Sequence, residues 1–414
     1  MNKKKVFFVT YGGGHANIID LVVEELLKNT NIEFKILALT TAHNNLINKY
    51  SDAIVKSVLD YSFLFEDIQN EVHKYGTLLL KDNYNEESKI SKEETIIYLG
   101  LSFFCLVDDH GYDKAIKLYN KKKRQAFLPT KVLEKILKYE KSDVVVATTS
   151  PRFEYAAILA GNILNIQTIQ ILDLFGQLYP LPAAKHLVVM NESVKKVLVN
   201  QGLVSNKYHI LGQPVIENTV SSVKKVDIQK AIKKLNINNE NRFLFLATQR
   251  LISVNKEYEV LKFMNYELTY NVLFPILEKL SNIYNLNIII RLHPNENIKD
   301  YVKYFNRFKF LKYTNDILSL EECIAISDIV LVESSTVALE AVACNKKVFT
   351  YKQNNEVYYA VPAFKKLPFV FSSNLKELEK NLFGFLNDND DFCKSTKFMP
   401  SNSVKNIIKL INKV

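Results

Sequence analysis

The sequence predicts an α/β protein of two domains, each built on a parallel sheet. At 414 residues the chain is longer than one hydrophobic core usually supports, which favours two domains. Short buried strands alternate with helices of about 12 residues, a rhythm typical of doubly wound sheets. This rhythm pauses over the polar, lysine-rich residues 216–241 and restarts at Phe243. We therefore expect an N-terminal domain over residues 1–215, a C-terminal domain over 216–395, and a helix within 396–414 that packs back on the N-terminal domain.

The composition is that of an ordinary globular protein, with 48% hydrophobic and 24% charged residues. Its four cysteines have no metal-binding spacing, so we expect reduced thiols in a reducing compartment. No stretch approaches the roughly 20 apolar residues that cross a membrane, and the N-terminus lacks the features of a signal peptide. These observations together predict a cytoplasmic protein.

The formal net charge is +10, and it has two interpretations. One is a lysine-rich surface from an AT-rich genome, in keeping with the many Asn, Ile and Lys residues. The other is a surface that attracts anionic substrates or the anionic inner face of a membrane. No nucleic-acid-binding motif is present, so no nucleic-acid partner is expected.

The first predicted strand, Val6–Thr10, is followed by a glycine-rich turn, Tyr11–His15, and by a helix over Asn17–Leu27. Glycines let a backbone approach a ligand closely, and His15 stands where parallel sheets bind ligands. The spacing is not GxGxxG, and no acidic residue ends the next strand, Phe34–Leu39, so a dinucleotide site is not expected. A plain tight turn is the alternative interpretation of these glycines.

Two later strands of this domain also end in polar residues. Asp143–Ala147 is followed by Thr148-Thr149-Ser150, and Thr168–Leu172 is followed by Asp173. His15 and Asp173 both follow buried strands of this predicted sheet. These two residues are the leading candidates for a general base.

Residues 40–140 are predicted to be mostly helical, and they contain the cluster Asp108-Asp109-His110-Gly111. Paired carboxylates beside a histidine can perform acid–base chemistry, which makes Asp109 a third candidate catalytic residue. The spacing is a poor metal signature. The main interpretation of the cluster is an N-terminal cap for a helix over Tyr112–Tyr119.

Three strands of the C-terminal domain end in residues suited to phosphate. Arginine, histidine, hydroxyl groups and the free N–H groups of a helix start stabilise phosphate charge without a metal. We therefore expect no metal ion and no cofactor. The three strand ends are Thr248-Gln249-Arg250, Arg291-Leu292-His293-Pro294-Asn295 and Glu333-Ser334-Ser335-Thr336.

The third strand end belongs to a β–α–β unit over Ser327–Tyr351. A strand over Ile329–Val332 leads through the small hydroxyl residues into a helix over Val337–Ala343, and Lys347–Tyr351 is the next strand. Glu340 in this helix is placed to accept hydrogen bonds from a ribose diol. The alternative is that the hydroxyl residues only cap the helix.

These segments resemble the GT-B superfamily of nucleotide-sugar enzymes. The resemblance rests on LGQPVIE, which is similar to the segment joining the two GT-B domains, and on FLFLATQR, RLHPNEN and VESSTVALEA. The last two are similar to segments of non-hydrolysing UDP-N-acetylglucosamine 2-epimerases, and YGGGHA is similar to the glycine-rich loop of the peptidoglycan N-acetylglucosaminyltransferase. The expected fold is α/β, of GT-B type, with two Rossmann-like parallel-sheet domains facing a central cleft.

The resemblance also implies roles for individual residues. In the epimerases a small-residue turn holds the diphosphate and a glutamate six residues after its first member binds the ribose, a spacing that Ser334 and Glu340 keep. In the transferase the glycine-rich loop and its histidine lie at the domain cleft. The implied nucleotide-sugar site consists of Gly13, Gly14, Arg250, His293, Asn295, Ser334, Ser335, Thr336 and Glu340.

The sequence departs from the epimerase pattern in its N-terminal half. It lacks the Gly-Thr-Arg-Pro loop, and the strand ending at Ala147 is followed by Thr148-Thr149-Ser150 rather than by an acidic residue. Only Asp173 matches an acidic position of the epimerases. Loss of the acid–base set with retention of the nucleotide set favours a transferase.

The function expected from this resemblance is a bacterial, metal-independent glycosyltransferase. Its donor would be a UDP-sugar, with a CMP-sugar as the alternative, and its acceptor a surface polysaccharide, such as a capsule, or a lipid-linked glycan. Peripheral contact with the inner face of the membrane would suit such an acceptor. Two alternatives stay open, a UDP-N-acetylhexosamine 2-epimerase-type isomerase and a non-catalytic nucleotide-sugar-binding subunit.

Overall fold

The computed structural model describes most of the chain in thirteen segments. They are residues 3–28, 32–86, 90–173, 180–204, 206–237, 241–248, 252–255, 260–263, 266–294, 296–333, 335–351, 369–387 and 399–414. The chain divides into two compact units. The first comprises Met1–Val215 with Met399–Val414, and the second comprises Ile216–Phe398.

The first unit is built on a sheet of seven described strands, all paired in parallel. The strands are β1 (Lys4–Thr10), β2 (Ile32–Ala38), β3 (Val55–Lys56), β4 (Val144–Ala147), β5 (Gln167–Ile171), β6 (His186–Val189) and β7 (Lys207–Ile210). Their order is β3-β2-β1-β4-β5-β6-β7. The chain therefore reverses its direction across the sheet between β1 and β4. Such a switch point opens a crevice at the carboxyl ends of its two strands, where ligands usually bind.

The helices of this unit follow the strands. They are α1 (Gly14–Leu26), α2 (Thr41–Ile47), α3 (Gln69–Leu80), α4 (Lys92–His110), α5 (Tyr112–Lys122), α6 (Thr130–Glu140), α7 (Phe153–Ile163) and α8 (Glu192–Asn200), with 3₁₀ helices at Leu59–Ile68 and Lys123–Ala126. Residues 40–140 are thus mostly helical, as predicted. In α1 the apolar residues recur at helical spacing, so Ile18, Ile19, Val22 and Val23 are all buried against the sheet.

Helices α3 and α4 approach each other very closely. A Cβ atom added at Gly76 would lie 2.1 Å from the carbonyl oxygen of Ile96, and one added at Gly100 would lie 2.0 Å from that of Val72. Only glycine fits at both positions, because any side chain there would overlap the backbone of the other helix. This contact fixes the part of α4 that carries Tyr98.

The prediction that Asp108-Asp109-His110-Gly111 caps a following helix is wrong for the aspartates. Both lie in the last turns of α4, which ends at His110, and Gly111 separates that helix from α5. The apolar run before Asp108 continues as helix, and Gly111 with its φ of 75° ends it.

The second unit is built on six described strands that pair in parallel and on a separate antiparallel hairpin. The strands are β8 (Phe243–Ala247), β9 (Ile252–Asn255), β10 (Val260–Phe263), β11 (Asn287–Arg291), β12 (Leu311–Tyr313), β13 (Ile329–Val332), β14 (Lys347–Tyr351) and β15 (Val370–Ser372). Strands β9 and β10 form the hairpin, and the sheet order is β12-β11-β8-β13-β14-β15. Its switch point lies between β8 and β13.

Helices cover this second sheet. They are α9 (Pro214–Val223), which begins in the first unit, α10 (Ile228–Leu235), α11 (Tyr266–Tyr284), α12 (Val302–Arg307), α13 (Leu320–Ile326), α14 (Val337–Ala343) and α15 (Leu375–Asn387), with a 3₁₀ helix at Ile298–Asp300. The bounds predicted for β13, α14 and β14 are confirmed. Apolar residues of α11 and α15, such as Phe274 and Leu382, pack on the sheet in one buried cluster.

The last helix, α16 (Ser403–Lys413), belongs to the first unit. Its buried residues Ile407, Leu410 and Ile411 join the hydrophobic cluster that α1 forms with the sheet. Lys4 at the start of β1 donates from its ammonium group to the carbonyl oxygens of Ile411 and Asn412. The C-terminal end of the chain is thereby part of the same core as its first strand.

Candidate functional site

The first candidate site lies at the carboxyl edge of the first sheet, at its switch point. His15 is in the first turn of α1, Thr148 and Thr149 follow β4, and Asp173 lies two residues after β5. With Glu154 of α7 these residues are in direct contact, and we call the five of them the His15 cluster. The structure thus brings together the two leading candidates for a general base.

Glu154 is the fixed centre of the cluster. It is fully buried, and its Oε1 accepts a hydrogen bond from the backbone N–H of Tyr11 at 2.9 Å. Its Oε2 accepts from the backbone N–H groups of Thr148 and Ser150 and, at 2.6 Å, from the hydroxyl of Thr148. Burial raises the pKa of Glu154, whereas the nearby His15 and these donors oppose the rise. Hydrogen bonds to the Glu154 carboxylate therefore connect the turn that follows β1 with the turn that follows β4.

His15 is bound to this centre through Thr148. Its Nδ1 lies 2.6 Å from the hydroxyl oxygen of Thr148 and 3.5 Å from Oδ2 of Asp173. The hydroxyl of Thr149 in turn donates to Oδ1 of Asp173. The side chains of His15 and Asp173 keep 27% and 16% of their surface exposed, so both can meet a substrate.

The glycine-rich turn is shaped by contacts with Tyr11. Its carbonyl oxygen accepts a 2.5 Å hydrogen bond from the hydroxyl of Thr40, and its own hydroxyl lies 3.0 Å from that of Tyr98. Gly13 has a φ of 57°, a conformation that glycine adopts without strain. At Gly13 and Gly14 an added Cβ would meet no atom within 4 Å, so the surface there is open.

Arg152, the residue just before α7, has a φ of 73°, an unusual conformation for a residue with a side chain. Its guanidinium carbon lies 4.2 Å from the centre of the Tyr11 ring. A cation over an aromatic face is attracted by the negative charge density of the ring. A strained backbone held in this way is common at functional sites.

Asp109 lies apart from the cluster. It is exposed near the end of α4, where its carboxylate forms an ion pair of 3.0 Å with Lys131. Asp109 lies eleven positions after Tyr98 on the same helix, which corresponds to about 16 Å along its axis. The structure therefore does not bring Asp109 to the Tyr11 turn, although the sequence placed it among the candidate catalytic residues.

The second candidate site lies at the carboxyl edge of the second sheet, where Thr248 follows β8 and His293 follows the neighbouring strand β11. The carboxylate Oε2 of Glu296 accepts from the hydroxyl of Thr248 at 2.5 Å and from the backbone N–H of His293 at 2.9 Å. Asn315 exchanges two hydrogen bonds with the backbone of Leu292. These bonds hold the loop that carries His293, whose side chain is half-buried.

The turn after β13 carries the hydroxyl residues predicted to bind phosphate. The hydroxyl of Ser335 accepts a 3.3 Å hydrogen bond from the backbone N–H of Val337, and Thr336 is exposed. Ser335 thus accepts from one N–H group at the start of the short helix α14, whereas Thr336, the residue just before the helix, makes no capping hydrogen bond through its side chain within the described residues. The exposed hydroxyl of Thr336 stands beside it at the edge of the sheet.

Glu340 sits deeper than the sequence suggested. Its pKa is raised to about 7, mainly by burial and also by the nearby Glu321, while a hydrogen bond from Thr219 opposes the rise. Its Oε2 has no hydrogen-bond partner within the described part of the chain. This oxygen is therefore available to a further donor.

Glu333 was not among the predicted site residues. It follows β13, only 4% of its surface is exposed, and neither carboxylate oxygen has a partner among the described residues. Burial raises its pKa to about 8. A glutamate directly after an apolar strand is the only signal that the sequence offers for such a residue.

Three predicted site residues, Arg250, Asn295 and Ser334, lie outside the described residues. Within the described residues no group of three or more His, Cys, Asp or Glu side chains is arranged to hold a metal ion. Cys105 and Cys323 are buried and Cys344 is half-buried, and all three are unpaired by disulfides. The sequence analysis also missed Glu154, whose signal was an acidic residue in the first turn of a helix after a buried strand.

No model of a known protein family matches the chain, and no curated protein matches it. Solved structures do match along its whole length. A putative UDP-N-acetylglucosamine 2-epimerase from Listeria monocytogenes is 12% identical, with a TM-score of 0.63 over 99% of this chain and 96% of that one. The UDP-GlcNAc 2-epimerase of Methanocaldococcus jannaschii, in complex with UDP-GlcNAc and UDP, is 17% identical, with a TM-score of 0.56 over 99% and 100%.

MurG of Acinetobacter baumannii matches as well, at 11% identity and a TM-score of 0.54, over 99% of this chain and all of the other. At such low identity these matches establish the fold rather than the activity. The chain has two parallel-sheet α/β units of the kind found in these GT-B-like proteins, so the expected α/β fold with two Rossmann-like parallel-sheet domains is confirmed.

Proposed function

We propose that this protein is a glycosyltransferase that moves a sugar from a UDP-sugar to a hydroxyl group of an acceptor. The observation that carries the proposal is the contact between His15 and Asp173 at the switch point of the first sheet. An imidazole beside a carboxylate is a suitable general base at neutral pH. It would remove the proton of the acceptor hydroxyl as that oxygen attacks the anomeric carbon of the donor.

The donor would be held by the second unit. The matched epimerase structure from Methanocaldococcus jannaschii contains UDP-GlcNAc and UDP, and this chain shares its fold. Ser335 and Thr336 stand at the switch point of the second sheet, where they and Ser334 would bind the diphosphate. The free oxygen of Glu340 would accept a hydrogen bond from the ribose. A CMP-sugar is the alternative donor.

The leaving group of this reaction is a nucleoside phosphate, which departs with the electron pair of the broken bond. Arg250, His293 and the hydroxyl residues would stabilise its developing negative charge, with contributions from Asn295 and from the open glycine turn at Gly13 and Gly14. Loss of one such donor typically slows catalysis by about 10²–10³-fold. We propose that no metal ion and no cofactor take part.

We further propose that the acceptor is a bacterial surface polysaccharide or a lipid-linked glycan, and that the reaction takes place in the cytoplasm at the inner face of the membrane. The net charge of +10 supports an anionic partner of this kind. Among the described helices none is long and apolar enough to cross a membrane.

A second candidate function is 2-epimerisation of a UDP-N-acetylhexosamine, which the names of the matched epimerases favour. Inversion at a carbon by removal and return of a proton needs acid–base groups on both faces of that carbon. A transferase of the proposed kind needs only one general base, which removes the proton of the acceptor hydroxyl. His15 and Asp173 lie 3.5 Å apart in a single cluster, which suits the transferase better.

The experiment that separates these functions begins with the donor alone. Purified protein is incubated with UDP-GlcNAc and other nucleotide sugars, and the sugar is analysed by NMR. Inversion at C2 without an acceptor would replace the proposal by the epimerase. We expect instead that donors raise the melting temperature and that sugar transfer requires a glycan acceptor.

Variants then assign the two sites. We expect His15→Ala and Asp173→Asn to lower transfer by about 10²–10⁴-fold, the usual contribution of a general base. Both should keep the donor-induced rise in melting temperature, because the donor binds the second unit. Lys131→Ala is the control, since its ion pair lies at the exposed end of α4. If no nucleotide sugar changes the melting temperature, the donor site is wrong, and unchanged cellular glycan in both variants would favour a non-catalytic subunit.

A further inference from the structure

A chain of hydrogen bonds ends at one nitrogen of His15 and begins at a buried carboxylate. Oε2 of Glu154 accepts from two backbone N–H groups, those of Thr148 and Ser150, and from the hydroxyl of Thr148. An oxygen that already accepts two backbone donors is not placed to donate a proton itself. The single hydroxyl proton of Thr148 therefore points at Glu154.

Because Thr148 donates its hydroxyl proton to Glu154, its role in the hydrogen bond to His15 is also determined. Its oxygen lies 2.6 Å from Nδ1 of His15, and because the hydroxyl proton is already used, the oxygen is the acceptor of that bond. Nδ1 must then carry the proton. In the neutral ring the lone pair is left on Nε2, which has no hydrogen-bond partner within the described part of the chain.

Asp173 is less suited than Thr148 to set which nitrogen of His15 carries the proton. Its Oδ2 lies 3.5 Å from Nδ1 of His15, beyond a normal hydrogen bond, while its Oδ1 is bound by the hydroxyl of Thr149. At that distance it can stabilise the positive charge of a protonated ring without setting which nitrogen is protonated in the neutral ring. Thr148 therefore sets which nitrogen of the neutral His15 ring carries the proton, whereas Asp173 stabilises the ring once it is protonated.

We infer that Thr148 and Glu154 are positioning residues that hold neutral His15 with its proton on Nδ1, so that Nε2 is the atom that accepts the substrate proton. This inference rests on the proposed transferase only for the identity of that substrate. The acceptor hydroxyl loses its proton to Nε2 while its oxygen bonds to the anomeric carbon, and the bond from that carbon to the nucleotide phosphate breaks. The resulting imidazolium is stabilised by Asp173 and afterwards releases its proton to solvent.

Thr10 offers a matched control for Thr148. It ends β1, next to β4 in the sheet, and it is as fully buried as Thr148. Its hydroxyl has no hydrogen-bond partner among the described residues. Thr10→Val and Thr148→Val therefore remove the same group from neighbouring strand ends, and only the second removes a bond to His15.

The test is the ¹⁵N NMR spectrum of the histidine side chains in the free full-length protein, at a pH where the rings are neutral. Loss of its signals in His15→Ala assigns the ring. We expect the Nδ1–H form in the wild-type protein, in Thr148→Ser, in Thr10→Val and in Asp173→Asn. In Thr148→Val we expect the Nε2–H form to become populated. A wild-type ring in the Nε2–H form, or an unchanged ring in Thr148→Val, would overturn the inference.

Kinetics supply an independent measurement. Because Thr148 acts on the base and not on substrate binding, Thr148→Val should lower kcat about tenfold, the value of one hydrogen bond, and leave KM unchanged. Thr148→Ser, which keeps the hydroxyl, should restore most of that loss. The NMR experiment needs no substrate, so a failure of the transferase assay would disprove the proposed reaction without deciding the state of His15. A rise in KM with constant kcat would instead show that Thr148 acts on binding.

Discussion

The imidazole Nδ1 of His15 lies 2.6 Å from the hydroxyl of Thr148, although 133 positions separate the two residues in the chain. The contact exists because β1 and β4 are neighbours in the sheet while the chain between them forms β2, β3 and the six helices α1 to α6. The switch point thus brings a histidine from the first strand end to a threonine from the fourth. Glu154 holds both turns in place by accepting hydrogen bonds from Tyr11 and Thr148.

The first prediction concerns the stability of this junction. Glu154→Ala leaves the buried backbone N–H groups of Tyr11, Thr148 and Ser150 without their acceptor, so we expect a loss of about 3–5 kcal/mol in the free energy of unfolding. Urea unfolding followed by circular dichroism measures it. Asp108→Ala, which removes an exposed ion pair with Lys131, is the control and should cost under about 1 kcal/mol. Equal costs in the two variants would show that Glu154 has no structural role.

The second prediction concerns the pH dependence of donor binding. Glu340 has its pKa raised to about 7, mainly by burial, and a ribose diol binds best to the ionised carboxylate. Donor affinity should therefore increase as the pH rises through about 7, as measured by calorimetry between pH 5.5 and 8.5. In Glu340→Gln this dependence should vanish, because the amide does not ionise.

Glu321 offers a sharper form of the same test. Its negative charge raises the pKa of Glu340, so Glu321→Gln should move the midpoint of donor binding to lower pH and leave the affinity at high pH nearly unchanged. Two results would show that Glu340 is not in the donor site. One is an unchanged midpoint of the pH dependence of donor affinity in Glu321→Gln, and the other is the persistence of that pH dependence in Glu340→Gln.

The third prediction uses Glu333, whose pKa burial raises from 4.5 to about 8. The folded state binds the proton more tightly than the unfolded state, so the stabilisation is fully present below pH 4.5 and is lost as the pH rises through about 8. Glu333→Gln keeps the shape of the protonated acid at every pH. Relative to wild type, the free energy of unfolding of Glu333→Gln should be higher by on the order of a few kcal/mol at pH 8.5 and unchanged at pH 4.5.

Unfolding of both proteins by guanidinium at several pH values measures that difference. Glu377→Gln is the matched control, because Glu377 lies half-buried in the first turn of α15 in the same unit and its pKa is lowered by its bonds to Ser373. The control should lose rather than gain stability at high pH. Parallel pH curves for wild type and Glu333→Gln would mean that Glu333 is not protonated in the folded protein.

Several elements follow from local sequence alone. The run Ile329–Val332 is continuously apolar and mostly β-branched, and the structure makes it a central strand with the predicted bounds. Local pattern was insufficient at Asp109, because carboxylates favour the start of a helix, whereas the length of α4 places this pair in its last turns beside Lys131. The glycine at position 111 was the available signal for that helix end.

The sequence by itself determined the order of strands and helices, the two-unit division of the pattern, and which strand ends carry polar residues such as His15, Asp173 and Thr336. These properties depend on periodicity and on composition, which are local. The tertiary structure decided which of the strand ends meet, how deeply Glu333 and Glu340 are buried, and that Thr148 and Glu154 support His15. Those properties depend on strand order and on the exclusion of water, and both arise only when segments distant in the chain pack together.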